Sequence, residues 1–218
     1  MSEYAAARYN MVEGQIRPNK VTDQRLVDAM MEIPREQFVP KAARGIAYVD
    51  EDLPIGKGRF LMEPMVFARM LQEVGIDETD VVLDVGCGSG YSTAVLARLA
   101  ATVFGIESDD ELAQRATEAM TSVGVDNAVV VTAPLTEGYP AQAPYDVIVI
   151  EGLVSDVPAG ILEQLAEGGR LVAAVLGERG VGEVKLYQRT GGITSGRILF
   201  EAHPHPLPGF EAKPKFVF

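Results

Sequence analysis

The stretch that most constrains the fold is Val81 to Tyr91, VVLDVGCGSGY, where a run of aliphatic residues breaks into three glycines at alternate positions. Val81, Val82, Leu83 and Val85 suit a parallel strand covered on both faces. Gly86, Gly88 and Gly90 allow the backbone to turn tightly and to approach a ligand. A helix is predicted to start near Tyr91. A second strand, Thr102 to Ile106, follows it and ends in Glu107, an acid placed to accept both hydroxyls of a ribose.

The glycine spacing bears on the ligand. Dinucleotide-binding turns read G-x-G-x-x-G and meet a pyrophosphate, whereas this one reads G-x-G-x-G directly after Asp84-Val85. An acid before the turn would repel pyrophosphate but could hold a cationic amino group or organise the loop amides around a carboxylate. A ribose, an amino-acid end and no phosphate together describe S-adenosylmethionine. On this reading Asp84, Gly86, Cys87, Gly88, Ser89, Gly90, Glu107 and Ser108 bind the cofactor. The bland alternative is a strand-to-helix turn that binds nothing.

Downstream, strands alternate with helices: Asp109 to Val123 as a helix, Ala128 to Thr132 as a strand, Tyr145 to Ile150 as a strand ending at Glu151. Pro158 opens a helix through Ile161, Leu162 and Leu165, and Arg170 to Val175 is again extended. Three more extended segments are expected near Val184 to Arg189, Arg197 to Glu201 and Lys215 to Phe218. This alternation predicts an α/β fold with a doubly wound, mostly parallel sheet. Upstream, Thr22 is the expected cap of a helix carrying Leu26, Ala29, Met30 and Ile33, and Pro34 stops it. Pro54 to Phe60 holds too many glycines for a regular element and reads as a loop. The chain divides into an N-terminal helical extension with its loop, residues 1–63, and an α/β domain, residues 64–218.

The 218 residues carry a formal charge of −12 and show no lysine or arginine cluster, which disfavours nucleic acid as a partner. No apolar run reaches membrane-spanning length and the start lacks a signal-peptide core, so a cytoplasmic protein without membrane contact is expected. The single cysteine, Cys87, lies inside the turn, and no zinc-type cluster exists.

The N-terminal text resembles the protein-L-isoaspartate O-methyltransferases, a branch of the class I S-adenosylmethionine-dependent methyltransferases. Met11-Val12, Gln15-Ile16, the helix Asp23 to Met30, Pro34-Arg35, Phe38-Val39-Pro40 and Pro54-Ile55-Gly56 carry the likeness. Ala143-Pro144-Tyr145-Asp146, Leu162-Glu163-Gln164-Leu165 and Gly168-Gly169-Arg170-Leu171-Val172 are similar to the family's later motifs. The resemblance implies methyl transfer from S-adenosylmethionine to a carboxylate of altered aspartate in a damaged protein or peptide. An acceptor of pKa about 4 is already ionised at neutral pH and needs neither general base nor metal.

Three departures stand against that pattern. After Pro-Ile-Gly-x-Gly the family reads Gln-Thr-Ile-Ser, and here stand Arg59, Phe60, Leu61 and Met62. The Gly-Asp-Gly expected near the adenine is Ala133, Pro134 and Leu135. Glu151 replaces a small uncharged residue at a strand end, where it would repel a carboxylate but could orient an amine or hydroxyl. Met62, Glu151 and Arg59 are accordingly the candidates at the reacting centre, and Arg17, Lys57 and Arg59 are the candidate cations for an acceptor carboxylate. Two other readings stay open: a class I methyltransferase with a different acceptor, and a catalytically degenerate nucleoside-binding protein.

Overall fold

A computed structural model describes residues 2–211; the extended segment expected at Lys215 to Phe218 lies outside them. Its centre is a seven-stranded sheet built on β3 (Val81–Val85), β4 (Thr102–Glu107), β5 (Ala128–Thr132), β6 (Tyr145–Val154), β7 (Leu165–Leu176), β8 (Gly182–Thr190) and β9 (Ile193–Glu201). The strand order is β5-β4-β3-β6-β7-β8-β9. The pairs from β5 to β7 are parallel, and the last two pairs are antiparallel. The chain therefore steps outward from β3 to β5 and then crosses back to place β6 on the other side of β3. That reversal is a topological switch point, where open α/β sheets form a ligand crevice at the carboxyl ends of their strands.

Alternation along the strands explains the layers. Val82, Val147, Val149, Val172 and Ala174 join one apolar cluster, while Leu83, Ile148, Ile150, Leu171 and Ala173 join another. The first cluster is thick: it takes in α1 (Glu3–Met11), α2 (Gln24–Glu32), α3 (Pro64–Val74) and α4 (Tyr91–Leu96), so the N-terminal segment shares a core with the sheet. Facing the second cluster are the short α6 (Ala159–Leu162) and, from the end of the described chain, Leu207 and Phe210. The remaining helix, α5 (Asp110–Ser122), is capped by Asp109, whose carboxylate accepts from the Leu112 amide at 3.0 Å.

Several boundaries differ from the sequence expectation. The cap of α2 is Asp23, not Thr22: its carboxylate accepts from the Arg25 and Leu26 amides, while the Thr22 amide donates to the Gln72 side chain. The glycine-rich loop is a small antiparallel hairpin, β1 (Leu53–Gly56) and β2 (Arg59–Leu61). Leu53, Ile55 and Leu61 point inward, and Lys57 turns the chain at φ 56 between two glycines that are also left-handed. The helix opened by Pro158 stops at Leu162, because Leu165 already pairs with Tyr145 and starts β7. Strand β6 runs past Ile150 through an irregularity in its pairing with β7, and Glu151 sits in that irregularity, which re-aims its side chain.

Candidate functional site

The ends of β3, β4 and β6 bring the predicted binding residues together. Glu107 is fully buried, and its carboxylate accepts from the Gly88 amide at 3.0 Å and from the Ser108 amide at 2.8 Å. These bonds place the acid against the glycine turn. Its remaining capacity is taken by Arg59, which is 4% exposed: Nη1 lies 3.1 and 3.0 Å from the two carboxylate oxygens, and Nη2 donates to the Gly86 carbonyl at 2.7 Å. Arg59 is thus engaged inside the crevice, not waiting for an acceptor carboxylate. The other two candidate cations are surface charges, Arg17 beside Glu13 and Lys57 beside Glu111.

Each glycine of the turn adopts a positive φ, and each has a protein neighbour where a Cβ would stand. At Gly86 that atom would fall 2.7 Å from Leu207 Cδ1, at Gly88 2.6 Å from Ile55 Cδ1, and at Gly90 2.9 Å from Ala116 Cβ. Gly90 therefore admits α5, and Gly88 admits the hairpin. The space over Gly86 is filled by a segment from the end of the described chain.

Asp84 is fully buried and accepts from Ser92 Oγ at 2.7 Å and Thr93 Oγ1 at 2.6 Å, both through Oδ2. It locks the first turn of α4 to the strand. Burial pushes its pKa up to about 6, against the lowering effect of the two hydroxyls. The folded chain thus takes up this proton before the unfolded chain does. The resulting stabilisation is complete below about pH 4 and lost as the pH rises to about 6. A series of urea midpoints should show that falling limb, and Asp84→Asn should flatten it. Burial also raises the Cys87 thiol well above its usual range, so Cys87 is a small protonated residue and not a nucleophile.

Glu151, Met62, Asp52 and Phe60 line the remaining space with residues 204–207, a cavity of about 10 Å³. That holds about one water, whereas a ligand of nucleoside size needs roughly 300 Å³ or more. Burial, reinforced by Asp84, raises the Glu151 carboxyl well above the usual range, which favours its neutral form. Among the described residues, Glu151 Oε1, Asp84 Oδ1 and Ser89 Oγ are buried without a hydrogen-bond partner. Unmet polar atoms clustered at a strand-end crevice fit a polar ligand. Adding the Glu107 carboxylate and the turn amides, the donor set fits a nucleoside bearing an amino-acid end. The segment expected to face an adenine, Ala133, Pro134 and Leu135, presents no side-chain acceptor, and Leu135 is buried in the second cluster.

Comparison with known proteins decides the family. The protein-L-isoaspartate(D-aspartate) O-methyltransferase family matches residues 7–203. The chain belongs to that family. A protein-L-isoaspartate O-methyltransferase of Methanoculleus marisnigri is 42% identical over 186 residues, covering 85% of this chain and 84% of its own length. One from Roseiflexus sp. strain RS-1 is 39% identical over 210 residues, covering 96% and 95%. A solved protein-L-isoaspartate O-methyltransferase superposes with a TM-score of 0.81 at 26% identity, over 93% of this chain and 66% of the other. A Plasmodium falciparum protein assigned to the same activity, in complex with S-adenosyl-L-homocysteine, shares the fold with a TM-score of 0.80 at 18% identity, over 95% and 99%.

Sequence reasoning missed two participants. Arg35 carried the family likeness without a role; it is fully buried and joins the N-terminal segment to the crevice by donating to the Ala47 and Met62 carbonyls at 2.8 and 2.6 Å. Leu207 was overlooked altogether. Its signal is the text His203-Pro204-His205-Pro206-Leu207-Pro208-Gly209-Phe210, in which large apolar residues stand among prolines that would otherwise suggest a solvated tail.

Proposed function

We propose that this protein is an S-adenosylmethionine-dependent carboxyl O-methyltransferase acting on isoaspartate in damaged proteins. The observation that carries the reading is the coincidence of family membership with a glycine turn, a strand-end glutamate and unmet polar atoms at one crevice. Glu107 would hold the ribose hydroxyls, with Ser108 beside it. The turn Gly86 to Gly90, including Cys87 and Ser89, would hold the amino-acid end together with Asp84. When bound, S-adenosylmethionine supplies an electrophilic methyl group. The protein's own contribution is then to position an ionised acceptor and exclude water. No helix among the described residues is long and apolar enough to cross a membrane, and none of their His, Cys, Asp and Glu side chains form a metal-binding group. We place the reaction in the cytoplasm, on protein or peptide and not on nucleic acid.

Glu151 bears on the acceptor. As a charged group it would repel a carboxylate, which favours a different acceptor; burial favours its neutral form, which can donate a hydrogen bond to one. On this reading Glu151 orients the acceptor carboxylate, Met62 packs beside it, and Arg59 neutralises the acids around it. Glu151→Gln keeps an N–H donor and should retain most of the activity. Glu151→Leu should lose about 10- to 100-fold in kcat/KM, the value of a hydrogen bond to a charged partner. Equal rates for the two variants would remove Glu151 from the acceptor site. The activity itself is tested by incubating the protein with labelled S-adenosylmethionine and an isoaspartyl peptide. Base-labile methyl ester should form; its absence at high enzyme concentration rejects the isoaspartyl reading.

A further inference from the structure

We propose that residues 203–211 form a strap that, with Arg59, closes the methyl-donor crevice of the free protein, so that the donor binds only as the strap lifts. The inference rests on the donor reading above and goes beyond it. Three observations point to it independently. First, the strap occupies the place: Leu207 Cδ1 lies 2.7 Å from where a Cβ on Gly86 would be, against the residue whose carbonyl Arg59 grips. A ligand bonded to the turn at Gly86 and to Glu107 cannot share that space. Second, the space left between this segment, Glu151 and Met62 is only about 10 Å³, too small for a ligand of nucleoside size.

Third, the attachment is built to be both specific and releasable. Pro204, Leu207 and Phe210 are buried, and the residues between them are exposed, the pattern of an extended chain laid along a surface. Three backbone–backbone bonds join it to β6 and the residue after it: Leu153 N to the His205 carbonyl at 3.0 Å, Leu207 N to the Leu153 carbonyl at 2.9 Å, and Ser155 N to the Phe210 carbonyl at 3.1 Å. The His205 ring stacks on Phe60 with centroids 3.5 Å apart, and both its amide and Nδ1 lie within 2.9 Å of Asp52 Oδ2. Prolines at 204, 206 and 208 limit the freedom of the released segment and so reduce the entropy lost on docking. Few backbone bonds and three buried apolar residues place such a segment among the first parts of a structure to open.

The consequence is competition between the chain's own groups and the donor. Donor affinity is reduced by the fraction of molecules in which the strap is open and Glu107 is free of Arg59. The test uses the full chain and S-adenosylhomocysteine as probe, titrated by calorimetry, with hydrogen exchange at Leu153, Ser155 and Leu207 read in parallel. Leu207→Ala should bind about fivefold more tightly or better, since it weakens only the closed state. His205→Ala, which touches an exposed latch and leaves the core intact, should gain affinity in the same direction. In the wild-type protein, saturation with the probe should accelerate exchange at these three amides, whose bonds join the strap to β6 and the residue after it. Binding to the wild-type protein with strap exchange unchanged or slowed, and no gain in either variant, overturns the strap while leaving the methyl-donor reading in place. Failure of all three proteins to bind overturns both.

Discussion

Glu107→Ala is expected to lower the unfolding free energy of the ligand-free protein by about 3–5 kcal/mol, the usual cost of stranding one partner of a buried ion pair. Arg59 is 4% exposed and Glu107 is not exposed at all, so the guanidinium left behind has no route to water without opening the hairpin. The Gly88 and Ser108 amides lose their acceptor in the same step. A loss of donor affinity alone, with an unchanged urea midpoint, would contradict the closed crevice. The double variant Arg59→Met with Glu107→Ala should recover much of the deficit, because the stranded charge goes with its partner and the two effects are coupled. Glu107 is thus a structural residue in the free protein and, on the reading proposed here, a ribose-binding residue in the loaded one. Its two roles exclude each other in time.

The parts of this fold that were legible in the sequence are those specified locally. Val81 to Tyr91 writes its strand and turn into eleven consecutive residues, and β4, β6 and Arg170 to Val175 of β7 announce themselves as near-continuous aliphatic runs because both faces of the parallel sheet are covered there. Thr22 and Asp23 are adjacent residues that can both cap a helix, Asp being the stronger, and Gln72, distant in sequence, engages the backbone of both. The hairpin at Leu53 to Leu61 was hidden by its glycines, which serve the left-handed turn and not disorder of the strands. Arg59 was the residue least open to reading. Nothing near it names Glu107 as its partner, so a cation in a glycine-rich segment was read as facing solvent or substrate. The same holds for Leu207: an apolar residue between prolines shows its burial only when the sheet that it covers is assembled.

Arg35 carries the second large effect. It is fully buried without a carboxylate in hydrogen-bond range, and burial lowers its pKa below the usual value; its guanidinium lies 4.8 Å from the Tyr91 ring centroid. What it provides is two donors to carbonyls that come from different layers, Ala47 in the N-terminal segment and Met62 at the crevice. Arg35→Ala removes both donors, at about 1–3 kcal/mol for each buried carbonyl left unpaired, and opens a cavity beneath Tyr91. Relief of the buried charge offsets part of this, so a net loss of about 2–5 kcal/mol is expected in urea unfolding. Arg35→Met refills the volume without the donors and should fall between the variant and the wild-type protein. Arg17→Ala, which breaks the exposed pair with Glu13, should cost less than about 0.5 kcal/mol. If Arg35→Ala proved as mild as Arg17→Ala, the N-terminal segment would be held to the crevice by apolar packing alone, and the Met62 carbonyl would not depend on Arg35 for its position.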